Sequence, residues 1–418
     1  MAGSMREGNA MTWLLDTLTL HALHRGDVIA LEDDRQQLDY RALLMAVDAM
    51  TARLKRTGAT CLALHGDNSV AWLIADLAGQ QAHCVVVPVP TFFSAQQVEH
   101  LYHSAGVDAI YQADTDSLQA REATPVSLPG ACSKITFTSG STGHPKGVCL
   151  TAAQQRSTVV ALAQRVSRHA GDRHLCVLPL ATLLENVAGV YLPLYLGATV
   201  VLRTCAAQGF TGSSQINPLL LFQTLNNTHP QSLILVPELL RLLVLMAEKG
   251  LPVPDSLKFI AVGGGKVDPL LVERAHALGL PAYEGYGLSE CGSVVSLNVP
   301  GDNRPGCAGK PLSHVQVTIS DHGEIRVSGS LMAGYLGEQP ASPSWATGDL
   351  GVLDRDGFLR VSGRRKNLLI SSYGRNINPE WVESVCQAED ALRAVVVFGD
   401  GKPALSAVIV PMPGATQE

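Results

Sequence analysis

Between residues 25 and 120, short apolar runs ("CLALHG", "CVVVPVP", "AIYQ") alternate with stretches whose apolar positions recur every three or four residues ("LDYRALLMAVDAMTARLKRTG", "AWLIADLAGQQA"). The first pattern suits strands buried on both faces and the second suits helices buried along one stripe. Together they predict helices laid on a largely parallel sheet. The alternation returns after residue 150, with helices over "TAAQQRSTVVALAQRV", "PELLRLLVLMAEKG" and "LLVERAHALG" and strands over "HLCVLPL" and "KFIAVGGG". Two α/β lobes account for it. Beyond about residue 300 the texture changes to short β runs broken by Gly, Pro and Asp, "VQVTISDHGEIRVSG" and "LGVLDRDGFLRVSG". "DRDG" predicts a hairpin turn, and the whole predicts a small β subdomain. The segment 175–202, "LCVLPLATLLENVAGVYLPLYLGATVVL", is the one apolar enough to suggest a membrane span. Pro179, Glu185, Asn186 and Pro193 would be costly or helix-breaking in a bilayer, so a buried strand, loop, helix and strand is expected there.

Composition narrows the class. Of 418 residues 46% are hydrophobic and 16% charged, which describes a folded chain with a large core. The formal net charge of −6 gives no general pull toward nucleic acid or an anionic membrane, and "GRRKN" at 363–367 is the nearest approach to a basic run. Nine cysteines are scattered without a CxxC pair, so neither a zinc site nor a disulfide framework is indicated. The opening "MAGSMREGNAM" lacks the apolar core of a secretory signal. A cytoplasmic protein is expected, with no transmembrane segment and no nucleic-acid partner.

The candidate chemistry begins at "TFTSGSTGHPKGV", 136–148. Successive backbone N–H groups of a glycine-rich loop make a concave anion site, to which Thr138, Ser139, Ser141 and Thr142 can add hydroxyls and Lys146 a charge. The spacing differs from the Walker pattern, because Gly147 and Val148 follow the lysine where Ser or Thr is required. "FIAVGGGKVDPLLVERA" has the order of a dinucleotide fingerprint, yet Asp268 stands where the third glycine belongs; a tight turn admitting a flat purine is an equal reading. "YEGYGLSECGSVV" offers Tyr286 for stacking, Ser289 for a phosphate and Glu290 for Mg²⁺. "GLSEC" stops short of a nucleophile elbow for want of its last glycine. Asp349 in "ATGDLG" could accept from ribose hydroxyls or simply form the turn, and His100 and His103, one helical turn apart, could share a metal.

In the order in which they occur, "TFTSGSTGHPKGV", "YGLSE", "TGDLG" and "GRRKNLLISSYGRNINPEWVE" resemble the adenylate-forming, AMP-binding superfamily over roughly residues 30–418. The wording of the last stretch is most similar to the long-chain fatty acyl-CoA synthetases. The resemblance implies a large N-terminal domain over 1–362, built from the two α/β lobes and the β subdomain, and part of a small α+β domain over 363–418. It implies phosphate contacts from Thr138, Ser139, Gly140, Ser141, Thr142, Gly143 and Lys146. Gly263, Gly264, Gly265, Tyr286 and Gly287 would bracket adenine, Ser289 would touch the α-phosphate, Glu290 would hold Mg²⁺, Asp349 and Arg364 would bind ribose, and Lys366 would be the interdomain hinge. Lys146, Ser289 and Glu290 are thereby the expected catalytic residues.

The implied reaction is attack of a carboxylate on the α-phosphorus of ATP, loss of pyrophosphate, and displacement of AMP by a thiol. Fixed donors and Mg²⁺ stabilise the charge that develops. The segments "LATLLENVAGVYL" and "LILVPELLRLL" contain no Asp and only Glu185 and Glu238 as acids, so a fatty or aryl-alkanoic acid is expected. The acceptor that the resemblance implies is coenzyme A, with an acyl carrier protein as the alternative; a catalytically idle nucleotide-binding relative is a third reading. Two departures stand out. Ala181 and Thr182 occupy the place of the family's aromatic–histidine pair, and the sequence stops at "VIVPMPGATQE", before the family's late lysine loop. From the second, tight binding but slow formation of the adenylate is expected.

Overall fold

The computed structural model describes residues 12–138, 145–211, 215–370, 372, 376–387, 389 and 391–412. Among these, the two large sheets hold seven and nine strands. In the first, Cys61–His65, Val85–Pro88 and Ala109–Gln112 run parallel and are joined by Cys132–Thr138. Lys146–Thr151 returns antiparallel to that last strand. The second sheet has a parallel centre, Thr199–Leu202, Arg173–Cys176, Ser232–Leu235, Phe259–Val262 and Ala282–Tyr286. Val315–Ile319, Glu324–Gly329, Ser344–Leu353 and Leu359–Arg364 form the β subdomain. Its expected turn at "DRDG" closes with Asp354 N–H on the Phe358 carbonyl (3.0 Å).

The predicted helices form where the spacing placed them, Trp13–Arg25, Ala95–Ala105 and Pro218–Thr228 form besides, and the ends are set by local chemistry. Tyr40–Thr57 begins at Asp39, whose carboxylate accepts from Ala42 N–H, and ends at Gly58 in the left-handed region, φ 70°. Pro269–Ala277 begins at Asp268, whose side chain accepts from Leu270 N–H (3.0 Å). The residue that spoils the dinucleotide fingerprint is therefore a helix cap.

The structure departs from two consecutive lobes at two points, one of them the late strand Gly334–Tyr335, which pairs with Lys146–Thr151 in the first sheet. Ile29–Glu32, early in the chain, pairs with Thr199–Leu202 in the second sheet. Glu32 holds it there through Arg173 and Arg203 (2.9 Å each), and Tyr40 donates to the Ala198 carbonyl at 2.8 Å.

The apolar segment 175–202 is a buried strand–loop–helix–strand, and its helix opens as a π-helical turn, Glu185–Tyr191, before Leu192–Leu196. This turn is fixed from below by a polar cluster in the core. Lys134 donates to Asp76 (2.8 Å), Asn186 (2.5 Å) and Tyr191 (2.6 Å), and Tyr191 donates to Asp76 (2.5 Å). Lys134 is 1% and Asp76 0% exposed, so neither charge is tolerable without the other.

Candidate functional site

The strand Cys132–Thr138 and its return Lys146–Thr151 form a hairpin with Thr138 opposite Lys146. Its tip, which carries the expected Ser139, Gly140, Ser141, Thr142 and Gly143, lies outside the described residues. At the base, Lys146 is about half exposed and pairs with Glu338 (3.1 Å) while lying 5.0 Å from the centre of the Tyr335 ring. The Tyr335 hydroxyl donates to Glu290 Oε1 at 2.6 Å. Burial, and then that bond, push the phenol's pKa up. Tyr335 thus sets the lysine and the carboxylate on one small platform, a role the sequence pattern gave no sign of.

Across the second sheet, two turns follow adjacent parallel strands. Phe259–Val262 ends in Gly263–Gly265, with Gly264 at φ 79°, and Ala282–Tyr286 ends in Gly287 and the short 3₁₀ turn Ser289–Cys291. Both lie at the carboxyl ends of the strands, where open α/β sheets hold their ligands. Gly287 has no room for a side chain: a Cβ there would meet the Ser293 carbonyl oxygen at 1.7 Å.

Tyr286 donates to Asp349 Oδ2 at 2.6 Å, and Arg364 Nε lies 3.2 Å from Oδ1. Asp349 faces Arg364 in register across the strands Ser344–Leu353 and Leu359–Arg364, and it is 5% exposed. Burial raises its pKa, against the pull of Tyr286 and Arg364.

These residues wall a polar cleft of about 1010 Å³ that also takes in Lys266, Glu284 and, from the last part of the chain, Asn378 and Glu380. Glu284 is a site residue the sequence reading missed. Burial pushes its carboxyl up to about 7, with Lys266 pulling the other way, and burial also lowers the pKa of Lys266. The lysine of "GGGK" was the available clue. Lys366 is exposed in the 3₁₀ turn Arg365–Asn367, at the junction of the β subdomain and the residues after it.

Behind the glycine turns lies a second cavity of about 270 Å³, walled by residues such as Leu162, Val166, Leu192, Ile234, Phe259 and Val294. Thr182, at one of the two departures from the family pattern, also faces it, as do Ser289 and Gly263. None of the described residues that line it is Asp, Glu, Lys or Arg. The cavity and the cleft share Gly264, Gly285, Tyr286 and Gly287 as a common wall. One molecule with an apolar end and a polar, hydroxyl-rich end could occupy both.

His100 and His103 belong to no cluster of potential metal ligands among the described residues. The one such group is His174, Cys176 and Glu185, buried, with ligand atoms within 4.8 Å of one another. Hydrogen bonds already engage it: His174 Nε2 lies 3.3 Å from Glu185 Oε1, and Leu178 N–H donates to Oε2 at 3.0 Å. Among the described residues no helix is long and apolar enough to cross a membrane.

A family model for the AMP-binding enzyme matches residues 18–129 and 127–336, and one for the AMP-binding enzyme C-terminal domain matches 366–418. A 2-succinylbenzoate–CoA ligase of Bacillus subtilis (strain 168) is 28% identical over 408 residues, covering 92% of this chain and 77% of that protein. A long-chain-fatty-acid–CoA ligase of Mycobacterium bovis is 36% identical over 165 residues, 37% of this chain and 27% of that one. The crystal structure of an anthranilate CoA ligase in complex with anthranoyl-AMP superposes with a TM-score of 0.84 at 18% identity, over 97% of this chain and 88% of the other.

Proposed function

The chain belongs to the family of AMP-binding enzymes, and from that membership we propose that it is an acid–thiol ligase: it joins a carboxylic acid to AMP at the expense of ATP and passes the acyl group to a thiol. The carboxylate oxygen attacks the α-phosphorus as the bond to pyrophosphate breaks. The thiol sulfur then attacks the acyl carbon, the bond to AMP breaks, and the thiol proton goes to solvent. Coenzyme A is the acceptor in the names of the relatives, and we assign it here.

The observation that carries this reading is the shared wall at Gly264, Gly285, Tyr286 and Gly287, which brings an apolar cavity and a polar cleft to one point. In it, Asp349 and Arg364 take the ribose, the glycine turns and Tyr286 flank the adenine, and Ser289 meets the α-phosphate. Lys146 and the hairpin tip hold the outer phosphates. Glu290 fits a Mg²⁺ partner: one oxygen is fixed by Tyr335 and the carboxylate stands beside the Lys146 hairpin, as a hard ion shared with phosphates requires. The ion would supply charge for the phosphate oxygens. The small domain would begin at about Gly363 and turn on Lys366.

The acid is a monocarboxylate of modest size whose remaining part carries no charge. A cavity of roughly 150 Å³ accommodates benzene, so about 270 Å³ suits one ring with a short side chain, or a medium-length chain, and not a long-chain acyl group. Succinylbenzoate bears a second carboxylate, and no lysine or arginine among the described lining residues would meet it. The test is ATP–pyrophosphate exchange over aryl-alkanoic and straight-chain acids of graded length, with a maximum expected at intermediate length. Exchange greatest with long-chain acids would overturn the substrate class. No acid-dependent exchange, in protein that binds ATP, would overturn the ligase.

A further inference from the structure

The apolar cavity is not apolar throughout, and its polar end lies away from the nucleotide. His174, Ser232 and Phe259 stand in register on three adjacent parallel strands, and all three face the cavity. Gly263, next to the shared wall at Gly264, is four residues beyond Phe259 along the strand direction, so the two ends lie roughly 13 Å apart at a rise of about 3.3 Å per residue.

At the far end the hydrogen bonds form a directed relay. Glu185 Oε2 accepts from the Leu178 N–H at 3.0 Å, which leaves Oε1 to face His174. In the neutral tautomer that carries its hydrogen on Nε2, 3.3 Å from Oε1, the ring donates to Glu185 and presents Nδ1, 3.0 Å from Ser232 Oγ, as an acceptor. With that tautomer the Ser232 hydroxyl donates to His174, which leaves the oxygen's lone pairs for the cavity. His174 is 4% and Ser232 5% exposed. The π-helical turn that carries Glu185 also carries Asn186 and Tyr191, which the buried Lys134 and Asp76 hold in place. The relay is thus built on a fixed element.

Resting on the ligase reading above, we propose that Ser232, oriented by His174 and Glu185, receives a hydrogen-bond donor on the acid's end remote from its carboxylate. The substrate class is then a hydroxylated acid, with roughly ten bonds of zigzag carbon chain, or an equivalent ring system, between the two ends. A hydroxyl on the tail would weaken binding in a plain apolar cavity, since it surrenders its bonds to water. Here it regains one, and the sign of its effect reverses.

The experiment is calorimetry with two non-hydrolysable adenylate analogues, ω-hydroxydecanoyl and decanoyl sulfamoyladenosine, on the whole chain and on Ser232→Ala. In the unmodified protein the hydroxylated analogue is expected to bind about tenfold more tightly, the worth of one recovered neutral hydrogen bond. In Ser232→Ala the ratio should fall to about one or invert. Equal binding, or tighter binding of decanoyl, by the unmodified protein overturns the proposal, and so does a ratio that Ser232→Ala leaves intact. Should neither analogue bind, the ligase reading itself fails and takes this one with it. The unmodified protein's ratio decides the matter alone if the variant does not fold.

Discussion

Replacing Asp349 with Asn should separate its part in nucleotide binding from its part in the fold. The carboxylate is 5% exposed, with Oδ2 taken by Tyr286 and Oδ1 facing Arg364. Asparagine keeps the shape and one acceptor, and it removes a buried charge that Arg364, 62% exposed, can offset only weakly. Stability should therefore change by no more than about 1 kcal/mol. Binding should change more. A ribose hydroxyl bonded to a carboxylate contributes about 1.5–3 kcal/mol, and losing one such bond weakens nucleotide binding roughly ten- to 150-fold. Calorimetry with ATP and with its 2′- and 3′-deoxy forms gives the assay. The unmodified protein should distinguish ATP from at least one deoxy form, and Asp349→Asn should lose that distinction, as expected of two groups that touch. Unchanged ATP affinity in a folded Asp349→Asn protein would refute the ribose assignment, and so would discrimination that survives the substitution.

Lys146→Ala should weaken ATP use by roughly ten- to a hundredfold, the loss of a charge-assisted phosphate contact, measured by ATP titration of pyrophosphate release; unchanged affinity and turnover would count against the phosphate role. Glu290→Gln should abolish the Mg²⁺ dependence of adenylation, and a wild-type Mg²⁺ optimum would remove the carboxylate from the metal site. Lys134→Met strands Asp76 in the core beneath the π-helical turn and should cost about 3–5 kcal/mol by denaturant unfolding, where a loss under 1 kcal/mol would contradict the buried pair. Burial pushes His314 down to about 4, so the unfolded chain takes up the proton first: stability present above pH 6.5 should fall as the pH drops toward 4, and His314→Leu should flatten that limb of the melting curve.

Much of this was legible in the sequence because local chemistry is repeated by tertiary structure. The strand "CLALHG", the helix "TAAQQRSTVVALAQRV" and the "DRDG" turn form where pattern and propensity agree. Asp349 and Tyr286, 63 residues apart, were read from separate motifs and meet at 2.6 Å. What escaped depends on contacts without sequence periodicity. The strand Ile29–Glu32 carries no mark of its distant partner beyond the charge of Glu32, which becomes meaningful only beside Arg173 and Arg203. Glu284 reads as a solvated acid until burial between the two turns is seen. His174 sits inside a plain strand, and its pairing with Ser232 is set by the register of strands 58 residues apart.

One titration bears on the union of cavity and cleft. A phenylalkanoyl sulfamoyladenosine places a ring in the cavity and a nucleoside in the cleft at once, and burying a ring of that size contributes about 2–3 kcal/mol. The analogue should bind roughly 30- to 150-fold more tightly than the same nucleoside without the acyl group, and displace it from a single site. Binding no tighter than the bare nucleoside, or binding of both at once, would contradict the joined site.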